Sequence, residues 1–160
     1  MAMQQAKVGQ PDFVFMFATV GYDQQQLLDS VRVATGYAPL SGCSGEGVIA
    51  AAEADETNFS VAVMLIASDE LRFENGFALG LKADSTAVGR QVAQVVQPHI
   101  QEDAVGLFVF PDAMTTNYDH FQSGLEATLV VDHFLPILGG GAGDNWAWKQ
   151  TYQYCNDQVF

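Results

Sequence analysis

Apolar positions along the chain recur with two periods, and the alternation between them outlines the fold. Residues 12–19, 59–67 and 104–110 are short, almost continuous apolar runs rich in Phe, Val and Ile. Runs of that length and composition predict strands covered on both faces. Shorter runs at 38–41, 48–52, 135–138 and 151–155 predict further strands. After a turn at 68–70, residues 71–74 alternate apolar and charged, which predicts a hairpin strand with one wet face. Three stretches carry helical spacing instead. Residues 22–35 place Leu27, Val31 and Ala34 on one stripe, with Asp23 as cap, Gln26 three residues on and Gly36 as the stop. Residues 84–99 begin at Asp84 or Ser85 and line up Val88, Val92, Val95 and Val96. Residues 119–131 line up Phe121, Leu125, Thr128 and Leu129. Strands alternating with helices predict an α/β fold, with helices packed on the faces of mixed sheets and glycine-rich turns at strand ends. The hairpin after residue 59 is what makes the sheet mixed.

Two of those strand ends carry dense glycine: Gly42-Cys43-Ser44-Gly45-Glu46-Gly47 and Gly139-Gly140-Gly141-Ala142-Gly143-Asp144. Glycine costs backbone entropy, so such clusters mark backbone held in conformations closed to other residues, or approached closely. Peptide N–H groups exposed on such turns form concave sites for small polar or anionic ligands. Gly42, Cys43, Ser44 and Gly45, with Gly139, Gly140, Gly141, Gly143 and Asp144, are therefore the candidate ligand-binding residues, on two loops expected to face one hollow. Asp144 has a second reading, as a cap that bonds the N–H groups of its own loop. Trp146 and Trp148 alternate, and so do Tyr152 and Tyr154. Each pair is expected on one face of a strand, either packed in the core or, for the tryptophans, walling the ligand pocket.

Composition narrows the function. The chain has 160 residues, 49% of them hydrophobic, which suits one globular domain able to bury its own core. Its net charge of −13, with only six scattered basic residues, excludes nucleic acid and anionic membrane surfaces as partners. No apolar run approaches a membrane span, and no signal peptide begins the chain. Cys43 and Cys155 form neither a CxxC nor a zinc pattern, so a cytoplasmic protein with reduced thiols is expected, without metal or cofactor. Residues 1–10 read as a disordered or expression-derived start, and 11–160 as the domain. Asn156-Asp157 is a turn followed by only three residues, so the domain is expected to be truncated inside a hairpin and to belong to a longer chain.

An enzyme is the weaker reading. Gly42–Glu46 lacks the closing glycine of a nucleophile elbow and precedes a strand, not a helix. Cys43 or Ser44 could act as a nucleophile only with His99, His120 or His133 as base. The second glycine cluster lacks the lysine and Ser/Thr of a P-loop, and Asp144 stands where a pyrophosphate would be repelled.

Taken together, residues 13–19, 42–47, 136–144 and 151–154, with Phe108-Val109-Phe110-Pro111-Asp112, resemble the N-terminal half of FIST (F-box and intracellular signal transduction) domains. The resemblance runs in order over nearly the whole chain. It implies a sensory module that binds a small ligand such as an amino acid, followed by a C-terminal FIST domain and coupled to a signalling protein partner. One departure stands out: Gly45-Glu46-Gly47 closes the first loop with the glutamate displaced from its usual place in the family. An interaction module without a metabolite is the alternative.

Overall fold

The first apolar run forms β1 (Phe13–Ala18), and its residues are buried except for the half-buried Phe17. In the computed structural model, which describes residues 9–50, 53–100 and 104–160, the chain divides into two compact units. Among the described residues, one contains those from 9 to Asn75 together with 142–160, and the other those between 76 and 141. The sequence expectation for residues 1–8 lies outside the described residues.

The first unit is built on a five-stranded mixed sheet in the order β5-β1-β2-β8-β9. β1 runs parallel to β2 (Leu40–Ser44), and the helix α1 (Gln24–Ala34) makes the crossover that a parallel pair needs. Asp23 caps α1 by accepting from the Gln26 N–H, and Gly36 ends it at a φ of +63°. Leu28, rather than Leu27 or Val31, is the fully buried residue of this helix, and Ala34 is exposed. Leu28 joins Val14, Met16, Ala18, Leu40 and Tyr154 in the core. The Tyr154 hydroxyl donates to Gln24 Oε1 at 2.5 Å, fastening β8 (Gln153–Cys155) to the start of α1. At the other end, the buried Arg32 donates from Nε to Asp157 at 2.8 Å and from Nη1 to the Ala38 carbonyl. That contact holds the Asn156-Asp157 turn, across which β9 (Gln158–Val159) pairs back on β8.

Several expectations for this unit are corrected. The run at 59–67 is not a buried strand: β5 (Val61–Ile66) lies at the edge of the sheet, with Val61, Val63 and Met64 exposed. Residues 71–74 form no strand, and Phe73 instead stacks on Phe13 at 5.1 Å. The sheet is mixed because β5 and β8 both run antiparallel to their inner neighbours. Gly42, Cys43 and Ser44 are not a turn but the end of β2. A Cβ on Gly42 would lie 1.8 Å from the Met16 carbonyl oxygen, so glycine is required by the closeness of β1. β3 (Val48–Ala50) pairs with β4 (Glu53–Asp55) in a hairpin, and the predicted extension to 51–52 lies outside the described residues.

In the second unit, α2 (Ser85–Val96) packs against α3 (Tyr118–Glu126) through two glycines. A Cβ on Gly89 would meet the Phe121 carbonyl oxygen at 2.1 Å, and one on Gly124 would meet that of Thr86 at 2.1 Å. The shared core is Val88, Ala93, Phe121 and Leu125, whereas Val95 is exposed. Asp84 caps α2, as expected, and Asn117 caps α3. β6 (Leu107–Val109) and β7 (Ile137–Gly139) form a short parallel pair. The run at 104–110 thus yields a three-residue strand with Phe108 exposed rather than a buried one.

Candidate functional site

The first glycine cluster belongs to the framework of the first unit. Ser44 is buried, and its Oγ donates to the Gly143 carbonyl at 2.6 Å while accepting from the Tyr152 N–H at 2.8 Å. The backbone repeats the connection, with Ser44 N–H donating to Tyr152 and Gly143 N–H donating to Ser44. Gly45 N–H donates to Ala18, prolonging the β1–β2 ladder. Gly143 therefore sits with Ser44, and their polar groups have partners within the unit. The Cys43 thiol is buried, and desolvation pushes its pKa up to about 12, so it is protonated at neutral pH. Among the imidazoles weighed as its base, His133 is bonded to Asp132 Oδ1 at 3.0 Å and to the Ala104 carbonyl at 2.8 Å.

Asp144 is buried and organises the loop that follows it. Its Oδ2 accepts from the N–H of Lys149 at 2.6 Å and of Gln150 at 3.2 Å. Burial raises the pKa of this carboxyl, but hydrogen bonds from the backbone of Lys149, Trp148, Gln150 and Ala147 outweigh it and hold the pKa below the usual carboxylate range. The loop so held is not a strand. Asn145, Trp146 and Trp148 have φ angles of 55°, 62° and 54°, a left-handed region that costs a bulky side chain about 1–3 kcal/mol. Trp146 and Trp148 are 74% and 71% exposed, neither core nor hairpin packing, and their rings meet edge to face at 6.3 Å.

Gly139, Gly140 and Gly141 belong to the second unit and line an open cleft there of about 410 Å³. The cleft lies at the C-terminal ends of β6 and β7, where open parallel sheets receive ligands. Val109, Pro111, Thr116, Tyr118 and Leu138 complete much of the wall. Each glycine has a different environment. At Gly139, with φ at +137°, a Cβ would fall 2.0 Å from the Val109 carbonyl oxygen. At Gly141 it would meet the Ala113 methyl at 2.6 Å. At Gly140 it would meet nothing within 4 Å, although the Gly140 N–H is tied to Val109 at 3.2 Å. Thr116 and Tyr118 were missed by sequence reasoning, although Pro111-Asp112 and the Asn117 cap signalled a turn into a helix there. The Asp112 carboxylate shapes that turn, accepting from Met114 N–H at 2.9 Å and the Thr115 hydroxyl at 2.5 Å.

Among the described residues, no helix is long and apolar enough to cross a membrane. Comparison with curated proteins and with solved structures gives no match. The profile of the FIST N domain matches residues 12–160, almost the whole chain. The chain therefore belongs to the FIST N domain family, a family of sensory modules in signal transduction.

Proposed function

We propose that this domain binds a small polar metabolite, an amino acid or a related compound, in the cleft walled by Gly139, Gly140 and Gly141. The observation that carries the reading is the glycine wall at the ends of two parallel strands, with open space where a Gly140 side chain would stand. Backbone without side chains lets a guest approach the peptide groups closely. Gly42, Cys43, Ser44, Gly45, Gly143 and Asp144 have a holding role in this reading, because their groups are already bonded or buried. The acidity of the chain selects a zwitterion or a cation over an anion. A C-terminal FIST domain and a signalling protein are the partners to which occupancy is relayed, in a cytoplasmic setting.

A thermal-shift series with the common amino acids tests this. A ligand with a Kd of about 10 μM, present at about a hundredfold excess, adds about 2.7 kcal/mol of stability. A Cβ at Gly140 meets nothing within 4 Å, so Gly140→Val, which projects into the cleft, is expected to abolish the shift with little change in the unliganded melting temperature. The interaction module without a metabolite is the second reading. It is favoured if no amino acid stabilises the protein and a stoichiometric partner binds Gly140→Val as well as the parent. A hydrolase acting through Cys43 requires rapid alkylation of the thiol at neutral pH, whereas its raised pKa predicts inertness.

A further inference from the structure

The sensing cleft makes no use of the most exposed aromatic surface of the first unit. Trp146 and Trp148 are the only tryptophans of the chain, and both stand in water on a backbone that disfavours them. Asp144 grips the loop from below, and the Asn145 amide donates to Asn58 from its side, so the rings are held outward. The surroundings are acidic. The Glu46 carboxylate lies where a Gly143 side chain would be, at 2.6 Å from that Cβ position. Asn58, which fixes Asn145, follows the exposed Glu53, Asp55 and Glu56 of the β4 turn. Lys149 is the one basic residue of the loop, and the chain as a whole carries −13.

We propose that the Trp146–Trp148 pair docks an arginine-bearing segment of a protein partner, whose guanidinium stacks on the indole faces while the Glu46 carboxylate beside Gly143 and the net charge of −13 offset its charge. Charge complementarity selects the cation. Indole is the strongest of the aromatic faces for it, and a planar guanidinium can also stack. A macromolecular source follows from the openness of the surface. A free small molecule would leave most of itself in water here, whereas ligand sites bury 70–90% of their guests. A partner surface shields the rings on all sides.

Because no other tryptophan is present, tryptophan emission, excited beyond the tyrosine absorption band, reports this site alone. A synthetic peptide of alternating arginine and serine is titrated into the protein at physiological salt, where long-range attraction is screened. Saturable quenching or a blue shift is expected, together with weaker binding of the matched lysine peptide. By anisotropy of a labelled peptide, the double variant Trp146→Ala, Trp148→Ala binds about tenfold more weakly, the value of two exposed cation–π contacts. The variant Trp146→Phe, Trp148→Phe keeps part of the affinity, which separates ring loss from any loss of fold. Equal affinity in the alanine variant, no fluorescence response, or equal binding of the lysine peptide overturns the proposal. So does a concentration-dependent blue emission of the free protein, since a second copy would then cover the rings.

Discussion

The two glycine clusters look alike in sequence, yet the structure uses them differently. In the first, Gly42 lets two backbones meet and Ser44 knots the end of β2 to Gly143 and Tyr152. In the second, Gly139 and Gly141 are sterically constrained while Gly140 between them faces open space. Glycine therefore has two meanings here: contact too close for a side chain, and a surface left bare. In the proposed reading, the bare surface at Gly140 is the part that receives a ligand.

The sharpest test of that difference is Gly42→Ala. The new methyl meets the Met16 carbonyl, and β1 and β2 cannot separate without losing their ladder. A loss of about 3 kcal/mol or more is expected in urea unfolding. A loss under about 0.5 kcal/mol would show that the pairing is looser than described. Ser44→Ala follows in size, because it leaves the half-buried Gly143 carbonyl and Tyr152 N–H without their hydroxyl partner. About 1–3 kcal/mol is expected, again by unfolding, with the melting temperature lowered in parallel.

Asp144 predicts a pH dependence. Its folded pKa lies below its unfolded value, so its contribution is complete above the unfolded value. It disappears as the pH falls through the folded value, below the ordinary carboxylate range. Asp144→Asn should flatten that part of the acid-unfolding profile, and an unchanged profile would show that the carboxylate does not grip the loop. The smallest effect on stability belongs to Gly140→Ala, within about 0.5 kcal/mol of the parent. A large destabilisation there would mean that both clusters serve packing alone, and would remove the contrast between them.

Periodicity located α1, α2 and the start of α3 well, because helical spacing and caps such as Asp23 and Asp84 are local signals. However, α3 ends at Glu126 and leaves Thr128 and Leu129 of the expected stripe beyond it. It was less informative about strands. Residues 13–18 and 61–66 are equally apolar, yet β1 is central and β5 lies at the edge. Hydropathy records what a strand would tolerate, not which neighbours it receives. The same limit applied to Trp146 and Trp148, whose alternation suggested a strand face. The buried Asp144 carboxylate drew their backbone into a left-handed loop instead.

By itself the sequence determined the class of the fold, the family and the positions of glycine, since these depend on residues close together along the chain. Tertiary structure alone decided which glycines only close a gap between backbones, as Gly42 does, and which also line a cleft, as Gly139 does. That choice depends on distances between segments far apart in the chain, such as Gly42 to Met16 or Ser44 to Gly143, and on their packing around a common core.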